Sequence, residues 1–208
     1  MKKTDWTMKK NSMMFLIAVT LLFIGCEKPL EYKYQDKPQL VDCPGIDKAL
    51  LHEALYSFQE DIGKYYNKVS DLDPQSNQYY IAAYQKFVYF GYSGEAKFDE
   101  IVSAHSLQVL EELKKQKDLW NVGQGKSNLN YNSELVSCLF DHISDEDIQQ
   151  TLKSLRQVDY LSPQVLASPM RQNVMKIVGD SYLATFTMLD AYYQYLLNDD
   201  LSANKKNE

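Results

Sequence analysis

From Leu51 to Leu196 the apolar residues recur at helical spacing, and this period limits what the chain can become more than any other feature. Leu51, Ala54, Leu55, Phe58, Ile62, Tyr65, Tyr66 and Val69 fall at i, i+3, i+4 and i+7, a single stripe on a helix of 3.6 residues per turn. Pro44 suits its first turn, where a missing N–H costs nothing. A second start is expected at Asp73-Pro74, with Asp73 as cap, leading into Tyr80, Ala83, Tyr84, Phe87, Val88 and Phe90. Tyr92-Ser93-Gly94 breaks that pattern. A third helix then carries Phe98, Ile101, Val102, His105, Val109 and Leu113 as far as about Trp120.

Asn121 to Asn132 is polar and rich in Asn and Gly, and reads as a loop. A fourth, short helix holds Leu135, Cys138, Leu139 and His142. Ser144 with Asp147 opens a fifth in the manner of a capping box. Ser162-Pro163 and Ser168-Pro169 are two more starts, the second leading a long helix to Leu197. No segment alternates with period two, so the expected fold is all-α: an antiparallel bundle of five to seven helices with no sheet. No repeat of 30–45 residues is present, which argues against a solenoid.

The bundle is expected over residues 43–198, with 199–208 a charged tail. Residues 26–42, with Pro29, Pro38 and scattered charge, read as a tether. Before it, Lys9 and Lys10 precede an apolar run from Met13 to Phe23, and Gly25 ends the run. Basic start, short apolar core and small residue are the order of a secretory signal, here residues 1–25. At thirteen residues, Met13 to Gly25 is too short to span a bilayer, which needs roughly 20.

Phe23-Ile24-Gly25-Cys26 resembles the lipobox of bacterial lipoproteins, with Phe23 where Leu is usual. The resemblance covers the first 26 residues. It implies cleavage before Cys26, acylation of Cys26, and a body moored to the cell envelope by three acyl chains, more than the two that suffice for stable anchoring. It also implies sorting: Glu27 follows the cysteine, where Asp is the usual inner-membrane retention signal, so the outer membrane is preferred.

Without residues 1–25, which contain four lysines and one aspartate, the net charge falls from −6 to −9. Only Arg156 and Arg171 are arginines and no basic run of five occurs, which argues against a nucleic-acid partner. A hydrophobic share of 45% supports a real core. With Cys26 acylated, Cys43 and Cys138 remain, and an exported compartment favours a bridge between them; two separate buried thiols are the alternative.

No catalytic set emerges. Gly123-Gln124-Gly125-Lys126-Ser127 ends like a phosphate loop, but position 120 is Trp where the motif needs Gly. Asp71, Asp73 and Gln75 open like a calcium loop, but Ser76 and Ala82 replace its Gly and Glu. His52-Glu53 lacks a second histidine at Tyr56, so no zinc site forms there. His105 on an apolar face reads as a hydrogen-bonded core residue, and His52 as a flank meeting solvent. No catalytic residue, metal or cofactor is expected.

Sixteen tyrosines remain to be explained. Most fall on apolar stripes and fill the core. Tyr89 shares a side with Gln78 and Gln85, and Tyr195 is off the stripe of the last helix, so these two are the candidate binding surface. The expected role is binding, as an accessory or assembly subunit with an envelope protein partner. Alternatives are an aromatic cleft for a glycan, peptide or hydrophobic molecule, and a small hydrolase without a familiar motif.

Translation is expected to begin at Met8, which gives the signal a plain Met-Lys-Lys start without Asp5 and Trp6. Replacing Met8 with Leu should abolish production of the protein, measured by immunoblot against the native chain; an unchanged amount would place the start at Met1.

Overall fold

A computed structural model describes residues 29–123 and 126–198. The signal segment, Cys26 and the tail at 199–208 lie outside the described residues. The fold is mostly helical, as the apolar period requires. It departs from the expectation of no sheet at one place. β1 (Trp120–Gly123) and β2 (Lys126–Leu129) pair antiparallel, with Trp120 opposite Leu129 and Gly123 opposite Lys126. The segment read as a polar loop hid this pairing because its strands are four residues each, too short to show alternation.

α1 (Lys48–Tyr66) starts later than Pro44 suggested, with Asp47 capping the Leu50 N–H. α2 (Asn77–Ser93) is capped by Ser76, not Asp73; Asp73 instead accepts the Ser76 N–H in the preceding turn. Gly94 ends α2 at φ +73°, a left-handed cap that glycine adopts without steric cost. The expected third helix is split. α3 (Phe98–Ile101) stops after one turn, and Ser103 caps a fresh start, α4 (Ala104–Lys114).

α5 (Glu134–His142) follows the hairpin, and α6 (Glu146–Gln157) is capped by Asp145 rather than Ser144. α7 (Pro163–Gln172) begins at Ser162-Pro163 as expected, but Pro169 lies inside it and starts nothing. The long final helix is in fact four pieces: α8 (Val174–Gly179), α9 (Ser181–Met188), a π-helical turn (Leu189–Tyr193) and α10 (Gln194–Asn198). Asp180 makes the break before α9. Its Oδ1 caps Tyr182 and Leu183, while its Oδ2 accepts the Ser144 N–H from the α5–α6 link.

α1 packs against α2, α4 and α9, and α2 also meets α7 and α8. Phe58 of α1 sits at the centre, its ring 4.9 Å from Phe87, 5.1 Å from Tyr192 and 5.6 Å from Tyr84. Edge-to-face pairs like these add about 0.5–1.5 kcal/mol each beyond their burial.

The tether reading is corrected for residues 32–42, which are docked rather than free. The Lys33 and Tyr34 N–H groups donate to the two carboxylate oxygens of Glu53, at 2.7 and 3.2 Å. The Tyr34 carbonyl lies 2.7 Å from His52 Nε2, its hydroxyl donates to Glu60, and its ring stacks on Tyr56 at 5.7 Å. His52 is thereby buried, against the expectation that it meets solvent. The Tyr56 hydroxyl donates to the Pro38 carbonyl, Val41 is buried, and Cys43 is disulfide-bonded to Cys138. Composition could not reveal this strap, because its bonds to Glu53, His52 and Tyr56 run through its backbone.

The bridge closes a separation of 95 residues. The Cys43→Ser, Cys138→Ser double variant should lose about 2–5 kcal/mol of unfolding free energy, read from urea denaturation. A loss below about 1 kcal/mol would mean that the strap's other bonds suffice to hold it.

Candidate binding surface

The candidate surface lies where α2 runs out of inward-facing positions. Successive residues on a helix turn by 100°, so Tyr89 and Phe90 cannot both follow Phe87 and Val88 into the core. Both stay at the surface, 52% and 38% exposed. Phe90 stacks on Tyr66 near the end of α1 at 6.4 Å and 10°, and Tyr65 meets Tyr66 edge-on at 4.9 Å. Tyr89 meets Phe90 edge-on at 5.1 Å. The four rings form a continuous belt.

Cations mark both ends of the belt. Arg171 of α7 lies 4.3 Å from the centre of the Tyr89 ring and donates to the Tyr89 carbonyl at 2.7 Å. Lys68 lies 4.2 Å over Tyr65, and Lys86 donates to the Tyr66 carbonyl. A guanidinium or ammonium over an aromatic face is attracted by the ring quadrupole, about 0.5–1 kcal/mol when exposed. In a chain of net charge −6, Arg171, Lys68 and Lys86 thus lie beside flat apolar rings, while Glu100 accepts the Tyr65 hydroxyl at 3.1 Å at one end. Such a surface can stack planar groups and receive carboxylates.

Of the two sequence candidates, Tyr89 belongs here and Tyr195 does not. The Tyr195 ring stacks on Phe98 at 5.2 Å and 13° and is half-buried, and burial pushes its hydroxyl pKa up. α3 supplies the covering ring, and the sequence pattern had merged α3 with α4. Tyr66, Phe90, Lys68 and Arg171 were missed. The signal that could have found them was the adjacency of two large aromatics after an already filled stripe.

Several groups that could do acid–base work face inward. Glu53, Ser57 and Asp61 lie at i, i+4 and i+8 on α1, one polar line within the apolar face. Glu53 Oε1 is 2.6 Å from His105 Nε2, and the strap completes its bonding. Asp61 Oδ2 accepts the Ser103 N–H at 2.9 Å, the Ser106 hydroxyl at 2.6 Å and the Tyr192 hydroxyl at 2.6 Å. Ser57 and Ser106 share a hydrogen bond of 2.5 Å. His105 is thus a hydrogen-bonded core residue.

A further buried carboxyl, Asp190, sits in the π turn. Its Oδ1 accepts the Tyr131 hydroxyl at 2.6 Å, and its Oδ2 has no hydrogen-bond partner. Burial pushes its pKa up to about 7, against a partial downward pull from the Tyr131 and Tyr92 hydroxyls.

The phosphate-loop reading fails on backbone grounds, since Lys126 lies in β2 and not at the start of a helix. A cleft of about 250 Å³ opens between α6 and the α7–α8 corner, lined by Ile148, Thr151, Leu152, Met170, Asn173 and Lys176 among others. It carries no aromatic residue. His142 is exposed and stacks on Tyr182 at 4.9 Å. No family model, curated protein or solved structure matches this chain.

Asp190 sets a testable pH dependence. Its folded pKa lies above the roughly 3.9 of an exposed aspartate, so between these values the folded state holds a proton that the unfolded chain has lost. Its contribution is full below about pH 4 and declines as pH rises through about 7, by up to about 4 kcal/mol. Urea denaturation at pH 5 and pH 8 should therefore show wild type losing more stability at the higher pH than Asp190→Asn. Equal losses would show Asp190 ionised throughout.

Proposed function

We propose that this is a lipid-anchored cell-envelope protein that acts by binding, as an accessory or assembly subunit, through the aromatic belt at Tyr89. The observation that carries the reading is the belt itself: four rings in mutual contact, with Arg171 and Lys68 over its end rings, displayed on rigid helices. Aromatic residues and arginine are the side chains that dominate binding energy at protein interfaces. The carboxylates and histidine that a hydrolase would use are consumed in bonds inside the body, which favours binding over catalysis.

The anchor rests on the lipobox resemblance at Cys26. The Cys43–Cys138 bridge supports export, since such bonds persist in oxidising compartments. Docking of the strap leaves residues 27–31 as the span between Cys26 and the body, about 3.3 Å each and roughly 17 Å at full extension. A leash that short would keep residue 32 within that distance of the membrane surface, outer membrane preferred.

Two measurements test the two halves of the reading. Cys26→Ser should move the protein from the membrane fraction to the soluble fraction and remove its lipid mass. A photo-crosslinking residue at position 89 in intact cells should capture a reproducible envelope protein, and the same residue at exposed position 160 should not. Capture at neither site, or equally at both, would remove the belt from the function and leave the anchor standing.

A further inference from the structure

We propose that Cys43, Cys138 and His142 form, once their disulfide is reduced, a binding site for one thiophilic divalent cation such as Zn²⁺. The sulfurs and an imidazole nitrogen lie within 4.8 Å of one another. Cys138 and His142 are four residues apart on α5 and share a face, with Sγ 3.7 Å from Nδ1. Two ligands of a tetrahedral zinc, at about 2.3 Å for sulfur and 2.0–2.1 Å for nitrogen, are separated by roughly 3.5 Å. The helical pair therefore has the spacing of one edge of such a tetrahedron, and the imidazole has only to turn from the Cys138 carbonyl to use it.

Cys43 comes from the strap, and its place does not depend on the bridge alone. Val41 is buried beside it in sequence, and Gly45 follows at φ +84°. A Cβ at Gly45 would lie 3.2 Å from the Leu135 nitrogen, so the strap is pressed onto the first turn of α5. Reduction frees the sulfurs to part to the roughly 3.8 Å that two zinc thiolates need, while the strap keeps Cys43 at hand. The Tyr182 ring stacks on His142 at 4.9 Å and 18° and supports the imidazole from one side. Cys43 is buried and Cys138 half-exposed, so the cation would be shielded on one side with a fourth position open to water, a two-thiolate, one-imidazole set.

The chemistry balances with a reductant. A phosphine and water reduce the disulfide to two thiols and leave the phosphine oxide. The cation then displaces both thiol protons to solvent. In the bridged form Nδ1 lies 2.9 Å from the Cys138 carbonyl, which holds its proton. Coordination through Nδ1 moves that proton to Nε2. A small-molecule disulfide, itself reduced to two thiols, takes the two electrons, re-forms the Cys43–Cys138 bond and releases the ion, so the bond and the metal exclude each other.

The test uses the full chain with Cys26→Ser in detergent, leaving two thiols. After phosphine reduction, Co²⁺ should bind at one ion per chain with thiolate-to-cobalt charge-transfer absorption, and Zn²⁺ should displace it. The oxidised protein should show none. His142→Ala, a surface change checked for folding by circular dichroism, should weaken Co²⁺ binding about tenfold or more, since even supporting groups of a metal site cost 10–100-fold. No binding after reduction, binding without reduction, or equal binding by His142→Ala would each overturn the proposal.

Discussion

One carboxylate joins three parts of the chain that are far apart in sequence. Asp61 Oδ2, on α1, takes a backbone N–H from Ser103, a hydroxyl from Ser106 and a hydroxyl from Tyr192. The first two hold the start of α4 against α1, and the third holds the π turn. A buried carboxylate is costly unless its lone pairs are filled, and each donor here would be stranded without it. Burial of the surrounding rings, with Phe58 between Phe87 and Tyr192, seals the group from water and makes that mutual dependence stronger. Packing of α1, α4 and the C-terminal helices is therefore specified by polar groups as well as filled by apolar ones.

The apolar period predicted the helices because burial selects it directly. It could not predict where they stop. Val102-Ser103 looks continuous with its flanks in hydrophobic pattern, yet the Ser103 N–H is bonded to Asp61 and its side chain caps α4, so the helix restarts there. Asp180 is the same case, an exposed-looking acid that caps α9 and reaches the α5–α6 link. Both breaks are decided by a bond across the fold. The strap at residues 32–42 escaped notice for a related reason: backbone donors bond a side-chain carboxylate whatever the sequence of the strap. Of the surface, Tyr89 was legible from its phase on α2. Phe90 was not, because its phase alone suits the core, and only the crowding by Phe87 and Val88 keeps it out.

The division between inside and outside bears on what the protein can do. Glu53, Asp61, His105 and Asp190 would look catalytic in an inventory of residue types. In place they are structural, tied to the strap, to α4 and to Tyr131. The side chains offered to solvent as a group are instead aromatic and cationic, held by α1, α2 and α7. Rigid rings on helices lose little freedom on contact, which is how a small patch contributes to affinity.

The π turn near the C-terminus has a genetic consequence. Its wider winding brings Asp190 and Gln194 to the side of the hairpin, where they meet the Tyr131 hydroxyl and the Leu129 N–H, while Tyr192 and Tyr193 point back to α1. Such a turn is a single-residue insertion accommodated inside an α-helix. A codon lost between 189 and 193 would let the turn close to ordinary winding and leave the helix after it close to its present facing, at the expense of the bonds made from within the turn. A one-residue change of length here should therefore disturb the contacts of Asp190 and Tyr192 more than the course of the helix that follows.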